Sequence, residues 1–218
     1  MTITKGVDWG QPGVLPPGAP VAHTDAQARR ILLAELGGAA TPTTGGESAR
    51  PPGAKPVVFG LLGGDLCRTV GGTGDRGRLS SEQAMQLPID VVSVRIDGGE
   101  ATRFVAHLVA RGRGWRGPFL LALNAEWLGR WKAGPRAHPG DGLLDIIHGS
   151  LGWRDRLRAS RRARFGAHLP HPALHTEAVA EFAFRFARPR RVWLDGEPHG
   201  WASRIDLAVQ ADAAVCVV

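Results

Sequence analysis

The sequence contains no tyrosine, only two cysteines and no long apolar run. The lack of tyrosine disfavours an aromatic platform for nucleic-acid bases. Cys67 and Cys216 are too few for a disulfide framework, which is typical of a protein in a reducing cytosol. No apolar run approaches the roughly 20 residues that a transmembrane helix needs. Met1-Thr2-Ile3-Thr4-Lys5 lacks the apolar core of a secretory signal. We therefore expect a cytoplasmic protein.

Positive charge is in excess. The chain has 27 lysines and arginines against 20 aspartates and glutamates, a formal net charge of +7. Such an excess favours an anionic partner, which could be a phosphate group, a membrane surface or a nucleic acid. The charge alone does not choose among the three. Nucleic acid is supported by nothing else in the sequence, and we do not expect it as a partner.

A helix is predicted over residues 153–164, and it is rich in arginine. One interpretation is a solvated helix face opposite a buried face formed by Trp153 and Leu157, and this is the one we favour. The other is a peripheral contact with an anionic membrane surface, because guanidinium groups bind phosphate headgroups. The arginines are Arg154, Arg156, Arg158, Arg161, Arg162 and Arg164.

The first 56 residues differ in composition from the rest. Thr24-Asp25 can cap a short helix over residues 26–36, and residues 37–56 are rich in glycine, threonine and proline, which predicts a mobile loop. From residue 57 onward, short apolar segments alternate with turn residues. Segments with strand composition include residues 89–96, 103–109, 119–123 and 181–186. We expect residues 1–56 to form a flexible arm with one short helix, and residues 57–218 to form a mainly β (α+β) domain, an antiparallel β-sandwich.

Two motifs in the second half combine carboxylates with glycine. The first runs from His138 to Asp145, and the second is Trp193-Leu194-Asp195-Gly196-Glu197. Taken singly, each is best interpreted as a turn between strands, since Asp-Gly is a common turn sequence. Together they could gather carboxylates and carbonyls around a hard cation and leave one carboxylate as a base.

Three histidines and one cysteine could have a functional role, but a structural role is favoured for each. His168, His171 and His175 are spaced so that zinc binding is conceivable, but a structural or hydrogen-bonding role is favoured because no cysteine lies nearby. Cys67 follows a glycine turn, where a thiolate could be stabilised. We favour a buried small residue there, since the sequence shows no partner base.

Several motifs occur in an order that identifies a family. They are Leu62-Gly63-Gly64-Asp65-Leu66-Cys67-Arg68-Thr69-Val70-Gly71, then Pro88-Ile89-Asp90-Val91, Asn124 with Gly129, the run from Pro135 to Asp145, Gly166-Ala167-His168, and Leu194-Asp195-Gly196-Glu197. From residue 57 to its end, the chain resembles the diacylglycerol kinase and bacterial lipid kinase family. The resemblance implies a C-terminal β-sandwich of the type shared with NAD kinases. In that family it accompanies an ATP-binding N-terminal α/β domain, of which residues 1–56 would be a truncated remnant.

The resemblance also implies a set of site residues. By position in the motifs, Mg²⁺ would be held by His138, Asp141 and Leu143, with Leu143 acting through its carbonyl. For His138 only the carbonyl is a plausible ligand, because Mg²⁺ prefers oxygen. Glu197 would be the base that accepts the lipid hydroxyl proton, with Asp195 beside it in the same catalytic motif. The residues that would border the nucleotide phosphates are Gly63, Gly64, Asp65 and Arg68.

The chain departs from the family at the nucleotide loop. The Gly-Gly-Asp-Gly-Thr motif of the family is missing, and Gly45-Gly46-Glu47-Ser48 is only a weak echo of it. Gly64 also stands where the family has asparagine. Because the backbone amides of such a loop bind phosphate, the sequence predicts poor affinity for ATP.

Two functions remain from different classes. The first is ATP- and Mg²⁺-dependent phosphoryl transfer to the hydroxyl of a lipid or other small molecule. The second is a non-catalytic module that binds anionic lipid or a protein partner. The sequence leaves open whether the chain forms an oligomer and whether a partner chain completes the site.

Overall fold

The computed structural model describes residues 9–36 and 56–218 of the chain. In these residues, eleven strands join into a single sheet. The strands are β1 (Gln11–Pro12), β2 (Val21–Ala22), β3 (Val57–Leu61), β4 (Met85–Ile96), β5 (Ala101–Phe104), β6 (His107–Arg111), β7 (Phe119–Leu123), β8 (Leu144–Gly149), β9 (Leu174–Val179), β10 (Glu181–Leu194) and β11 (Glu197–Val217). The helices are α1 (Asp25–Leu36), α2 (Gly64–Thr69) and α3 (Trp153–Arg162).

The order of strands across the sheet is β1-β4-β11-β10-β6-β7-β8-β9, with β5 paired to β4 and β3 paired to β11. Pairing is antiparallel except where β3 lies parallel to β2 and β11. The pairing of β11 with β4 shifts register between Gln210 and Ala214, and that of β10 with β11 shifts between Arg185 and Arg190. Bulges of this kind increase local bending and twist, and the sheet is curled. The predicted mainly β, antiparallel fold is confirmed.

The inner face of the curled sheet carries the main strand core. The alternation predicted for residues 181–186 is observed: Phe182, Phe184 and Phe186 point toward this core, while the residues between them are exposed. The fully buried members of the core come from both sides of the curl, and they include Phe104, Leu120, Ile146, Val192, Leu194 and Ile205.

The predicted N-terminal helix is confirmed as α1. Thr24 caps it, because its Oγ1 accepts the Gln27 N–H at 3.2 Å. Ala28 and Leu32 are fully buried and pack with Phe59 of β3. This helix therefore docks on the sheet. The loop predicted over residues 37–56 and the Gly45–Ser48 echo lie outside the described residues, apart from Pro56 itself.

Two predictions about elements after residue 100 need correction. Residues 103–109 form the end of β5, a turn at Val105-Ala106 and the start of β6 instead of one strand. The predicted arginine helix is present as α3, but its expected buried face is wrong, since Trp153 is 66% exposed and Leu157 is 48% exposed. Cys67 is buried, as expected. No helix in the described segments is long and apolar enough to cross a membrane.

Candidate functional site

The second acidic motif is a tight hairpin turn between β10 and β11. Leu194 pairs with Glu197 across it, and the two residues between them have positive φ angles, 49° for Asp195 and 82° for Gly196. Two successive left-handed residues are the requirement of the turn type that suits a two-residue hairpin, and Asp-Gly is a preferred sequence for it. The turn interpretation of this motif is thus correct, and the turn presents Glu197 at the start of β11.

The Asp195 carboxylate anchors the turn between β5 and β6. It is buried and accepts backbone N–H groups from Val105 at 3.1 Å, Ala106 at 2.9 Å and His107 at 3.2 Å. Burial raises the pKa of Asp195 to about 6, although these N–H donors and the His107 ring act in the opposite direction. The geometry makes Asp195 a group that positions the β5–β6 turn.

His107 connects this turn to helix α2. Its Nε2 lies 3.0 Å from Oδ2 of Asp65, and the same oxygen accepts the Gly129 N–H at 2.8 Å. Burial is the largest single influence and disfavours the charged form of both groups, but their mutual hydrogen bond, together with the surrounding charges and the Gly129 N–H, outweighs it, so the pKa of Asp65 is lowered and that of His107 is raised. The two side chains therefore form a buried, charge-assisted pair.

A second buried carboxylate, Asp25, lies beside this pair. It accepts the backbone N–H groups of Asp65 at 2.7 Å and Leu66 at 3.0 Å, and burial raises its pKa. Asp25, Asp65 and His107 each offer one possible metal-ligating atom, and these three atoms lie within 4.8 Å of one another. This is the one such group in the described part of the chain. The cluster joins α1, α2 and β6.

The glycines before Asp65 allow α1 and α2 to approach each other closely. A Cβ on Gly64, whose φ is +97°, would meet the carboxylate of Asp25. A Cβ on Gly63 would meet the backbone carbonyl of His23. Both positions thus need glycine for packing. Whether they also border a nucleotide stays a prediction.

Glu197 is held by two arginines of α1. Its Oε2 lies 2.5 Å from Nη2 of Arg29, and its Oε1 lies 2.7 Å from Nη1 of Arg30. Arg29 is buried, whereas Arg30 and Glu197 are exposed to solvent. The hydrogen bond from Arg30, followed by the charges of both arginines, lowers the pKa of Glu197. Glu197 is therefore a carboxylate in neutral solution, and it lies next to a cationic pair.

Arg68 is fixed against the loop that follows β7. Its guanidinium stacks on the Trp127 ring, 3.3 Å from the centroid, and Nη1 donates to the Gly129 carbonyl at 3.3 Å. Gly129 thus contacts both Arg68 and Asp65, so this loop closes over α2.

The predicted metal residues share a different loop. Oδ1 of Asp141 accepts the Leu143 N–H at 2.9 Å, and Nδ1 of His138 accepts the Gly140 N–H at 3.2 Å. The ring of Trp9 packs edge-on against that of His138, 4.4 Å between centroids. Nδ1 of the imidazole is therefore engaged inside the loop, and binding of Mg²⁺ by the His138 carbonyl stays a prediction.

Asp90 of β4 lies against this loop. Its carboxylate accepts the Gly142 N–H at 2.7 Å and the Asp212 N–H at 2.9 Å. Burial, with a smaller contribution from the charge of Asp141, raises the pKa of Asp90 to about 7 and that of Asp145 to about 6. Asp90, Asp141 and Asp145 offer carboxylate oxygens, the type of ligand that Mg²⁺ prefers, but their ligand atoms are not among those that lie within 4.8 Å of one another in the described residues.

Comparison with known proteins gives a likeness of fold only. No family model matches the sequence, and no curated protein matches it. Three solved structures from Bacillus anthracis strain Sterne do match, each named as a diacylglycerol kinase or a candidate for one, and each 13% identical to this chain. The chain has a diacylglycerol kinase-like fold.

The coverage of these matches is similar. The first has a TM-score of 0.56 and covers 73% of this chain and 69% of its own. The second has a TM-score of 0.51 and covers 73% of this chain and 66% of its own length. The third has a TM-score of 0.55 and covers 78% of this chain and 70% of its own length. The chain thus spans about two thirds of the length of these diacylglycerol kinase-like structures.

Within this diacylglycerol kinase-like fold, the predicted site residues lie in two groups. Gly63, Gly64, Asp65, Arg68, Asp195 and Glu197 lie on or near α1 and α2, while His138, Asp141 and Leu143 lie in the loop whose Gly142 N–H is bound by the Asp90 carboxylate. Buried Asn124 connects the groups, since its Nδ2 donates to the carbonyls of Asp90 at 3.0 Å and Val105 at 2.8 Å. Val105 in turn donates to the Asp195 carboxylate.

Sequence reasoning missed several residues at these positions. Asp25, Arg29 and Arg30 belong to α1, which the sequence suggested was part of a flexible arm. Their one signal was the capping pair Thr24-Asp25 followed by two adjacent arginines. His107 belongs to none of the motifs. It reaches Asp65 only because a turn separates β5 from β6. Asp90 lies within one of the motifs, but the sequence predicts no role for it.

Proposed function

We propose that this chain is a lipid kinase-type phosphotransferase, which transfers a phosphoryl group from ATP to a lipid hydroxyl with Mg²⁺ as cofactor. The observation that supports it is the meeting of the Asp195–Glu197 turn with Asp65 of α2 and the Arg29-Arg30 pair of α1. The solved structures of similar fold are named diacylglycerol kinases, and we take the substrate class from that likeness.

Glu197 is the proposed base. A carboxylate near the attacking hydroxyl accepts its proton as the oxygen bonds to phosphorus. The arginines lower the pKa of Glu197 further, but they also occupy its oxygens. An incoming phosphate competes for the same guanidinium groups, because arginine binds phosphate and carboxylate with the same forked geometry. Binding of the phosphate donor would therefore free Glu197 to face the hydroxyl.

The remaining site residues have supporting roles in the proposal. Asp195 and His107 hold the turn and the helix that surround Glu197. Asp65 and Arg68, with Gly63 and Gly64, border the phosphates of the donor. These roles rest on the motif order and on the packing described above.

Mg²⁺ would be held by Asp141 and Asp90, with the backbone carbonyls of His138 and Leu143 completing the set. Mg²⁺ bound there supplies positive charge that offsets the phosphate and carboxylate charges. The protein's own contribution is partial burial, which raises the pKa of Asp90, Asp141 and Asp145, with a smaller contribution from the charge of Asp141 at the other two.

The test is phosphate transfer from labelled ATP to diacylglycerol in mixed micelles. The wild-type chain is expected to form phosphatidic acid, and Glu197→Gln is expected to lose about 100-fold or more of that rate, the usual contribution of a general base. Glu100→Gln, in an exposed turn between β4 and β5, is the matched control. Transfer that is undiminished in Glu197→Gln would remove Glu197 from the mechanism, and no transfer with no calorimetric ATP binding would remove the kinase function.

A second function, a non-catalytic module for anionic lipid, is favoured by the surface of α3. Trp153 and Leu157 on the helix and Phe165 after it are exposed among arginines. Exposed aromatic and aliphatic side chains with arginines are typical of helices that lie in a membrane interface. This function predicts binding to vesicles containing phosphatidic acid that weakens when Arg158, Arg161 and Arg162 are changed to glutamine. It also predicts no ATP binding by calorimetry.

A further inference from the structure

Two histidines face each other across the last pair of strands in the sheet. His148 of β8 lies directly opposite His175 of β9 in the antiparallel register. Their rings are nearly parallel, with 21° between the planes and 5.0 Å between the centroids. Residues that are directly opposed in an antiparallel pair hold their Cβ atoms about 4.5–5.5 Å apart on one face of the sheet. The backbone register therefore fixes the two imidazoles side by side.

This pair stands at the open end of the inner face of the sheet. The preceding inward positions of β8 are Leu144 and Ile146, and both belong to the main strand core. The His148 ring packs against the Phe184 ring, with 4.9 Å between the centroids. His148 is half-buried, whereas His175 is exposed. The imidazole pair thus has apolar side chains behind it and solvent in front of it, so an ion can reach it.

The ring nitrogens of the pair are free of other partners. Within residues 9–36 and 56–218, neither imidazole takes part in a hydrogen bond or an ion pair. Burial, with a smaller effect from the charge of His175, lowers the pKa of His148, so its ring is largely neutral at neutral pH. A neutral imidazole keeps a lone pair on one ring nitrogen, and this is the form that binds metal ions. The pair therefore offers two adjacent nitrogen ligands.

The type of ligand selects the type of ion. Imidazole nitrogen suits Zn²⁺, Cu²⁺ and Ni²⁺, whereas Mg²⁺ and Ca²⁺ take oxygen ligands. In a tetrahedral Zn²⁺ site with Zn–N distances of about 2.0–2.1 Å, two ligand nitrogens lie about 3.4 Å apart. Rings whose centroids are 5.0 Å apart can reach that nitrogen spacing through rotation of the exposed His175 side chain. The geometry thus suits a transition metal ion held by both rings.

Only one of the three histidines considered for zinc from the sequence belongs to this pair. Nδ1 of His171 accepts the Ala173 N–H at 3.1 Å, so that ring is engaged in its own turn. His168, His171 and His175 are also not a group of ligand atoms within 4.8 Å of one another in the described residues. The partner of His175 comes from β8 instead, because strand pairing brings the two together.

A carboxylate lies on the same face as the imidazole pair. Glu177 is two residues beyond His175 on β9, and alternate side chains of a strand share a face. It pairs with Ile146, which is two residues before His148 on β8. The charge of Glu177 acts on His148, since it opposes the lowering of the His148 pKa. Glu177 thus contributes a nearby negative charge that favours a bound cation, while the two imidazoles are the ligands.

We propose that His148 and His175 form a binding site for a divalent transition metal ion of the Zn²⁺ type, with water completing its coordination. A bound ion cross-links β8 to β9, which is the last strand of the sheet and pairs with β8 alone among the described strands. An end strand exposes unpaired backbone groups, and the cross-link holds this one in register. The site uses neither ATP nor Mg²⁺. It therefore goes beyond the proposed kinase function and stands or fails independently of it.

The experiment is a calorimetric titration of the full chain with Zn²⁺ at neutral pH, after removal of any polyhistidine tag and treatment with a chelator. We expect saturable binding in the wild type. His175→Ala removes an exposed ring and should weaken binding by about tenfold or more, because one of two protein ligands is lost. His199→Ala, at an exposed position near the start of β11, is the matched control and should bind as the wild type does. Absent binding in the wild type, or equal binding in the two variants, overturns the proposal.

A second measurement distinguishes this site from adsorption of the ion elsewhere. Hydrogen exchange of the backbone amides of β8 and β9 should slow when Zn²⁺ is added to the wild type, because the ion cross-links the two strands. The same amides should not respond in His175→Ala. Amides of β9 that exchange at the same rate with and without Zn²⁺ in the wild type would overturn the cross-link.

Two further variants test the choice of ligands. His148→Gln removes the second ring and should weaken Zn²⁺ binding as His175→Ala does. If it does not fold, as judged by circular dichroism without metal, the exposed His175 decides the question alone. Asp141→Asn changes the loop predicted to hold Mg²⁺ and should leave Zn²⁺ binding intact. A loss of Zn²⁺ binding in Asp141→Asn would place the ion in that loop and overturn the assignment to the histidine pair.

Discussion

Arg29 and Glu197 lie 168 residues apart in the chain, yet their side chains form a short ion pair, with Nη2 and Oε2 2.5 Å apart. The pair joins helix α1 to the first residue of β11. It brings the N-terminal segment into contact with the acidic turn that follows β10. The pKa of the proposed base is therefore lowered by a helix outside the region that resembles lipid kinases.

The first prediction concerns the pKa of Glu197. Changing both Arg29 and Arg30 to methionine removes the hydrogen bonds and positive charges that lower it, so the pKa of Glu197 should rise toward the ordinary value of a glutamate. The measurement is an NMR titration of the glutamate side-chain carboxyl carbon, assigned with Glu197→Gln. Arg158→Met on α3 is the control. A Glu197 pKa that is unchanged in the double variant would show that the ion pairs do not form in solution.

The second prediction concerns the pH dependence of stability through Asp90. Its pKa is about 7 in the folded protein against a reference of 3.8, so the folded state binds the proton more tightly. The stabilisation from that proton is complete below about pH 4 and is lost as the pH rises through about 7. Asp90→Asn should flatten the urea-unfolding profile over this window. A profile with the same slope in the variant would contradict the raised pKa.

The third prediction follows from the same carboxylates and concerns Mg²⁺. At pH 8 Asp90 and Asp145, with pKa values of about 7 and about 6, are largely ionised, and both lie close enough to Asp141 for its charge to raise their pKa, so millimolar Mg²⁺ should raise the melting temperature. Asp141→Asn should abolish most of that increase. Asp155→Asn, an exposed carboxylate on α3, should leave it intact. An equal increase in both variants would mean that the ion acts elsewhere.

The fourth prediction tests the close approach of α1 and α2. In Gly64→Ala, the new Cβ would meet the Asp25 carboxylate at a residue with φ of +97°, so strain and crowding add. We expect a loss of about 2–4 kcal/mol in unfolding free energy. Gly98→Ala has a φ of +76° and open space around it, so it should cost only about 1 kcal/mol. Equal losses in urea unfolding would show that crowding at Gly64 contributes nothing.

The fifth prediction concerns Asp195. In Asp195→Asn, the amide oxygen can take the place of Oδ1, which contacts all three N–H groups, but the NH₂ group then replaces Oδ2 against the Val105 N–H and the charge that strengthens these hydrogen bonds is lost. Unfolding free energy should fall by about 1–3 kcal/mol. Asp206→Asn, on an exposed part of β11 where the carboxylate pairs with Arg204, is the comparison and should cost less than about 1 kcal/mol. A loss no larger at Asp195 would contradict its anchoring role.

Turns, strands and helices could be predicted from the sequence wherever the residues that cause the local structure lie within the element itself. The Asp195-Gly196 turn depends on left-handed residues, the alternating phenylalanines of β10 depend on the period of a strand, and α1 depends on the cap at Thr24. In each case the cause lies within a few residues. The order of the motifs also sufficed to predict the diacylglycerol kinase-like fold.

The buried face of α3 shows where such reasoning fails. A helix pattern shows which residues share a face, but not whether a neighbouring element covers that face. Trp153 and Leu157 remain exposed because α3 stands over the β7–β8 surface without filling the space beneath it. The predicted strand over residues 103–109 is interrupted for a similar reason. The turn within it is held by the carboxylate of Asp195, which is distant in the sequence.

The sequence by itself determined the strand-rich class, the turns and the motifs in which Asp65, Asp141 and Glu197 occur. Only the tertiary structure decided which groups meet: Glu197 with Arg29, Asp65 with His107, and Asp141 with Asp90. The physical reason is that charge and hydrogen bonding act over a few ångströms in space, while these partners are separated by tens of residues or more along the chain. Their pKa values and hence their chemistry are properties of the folded arrangement.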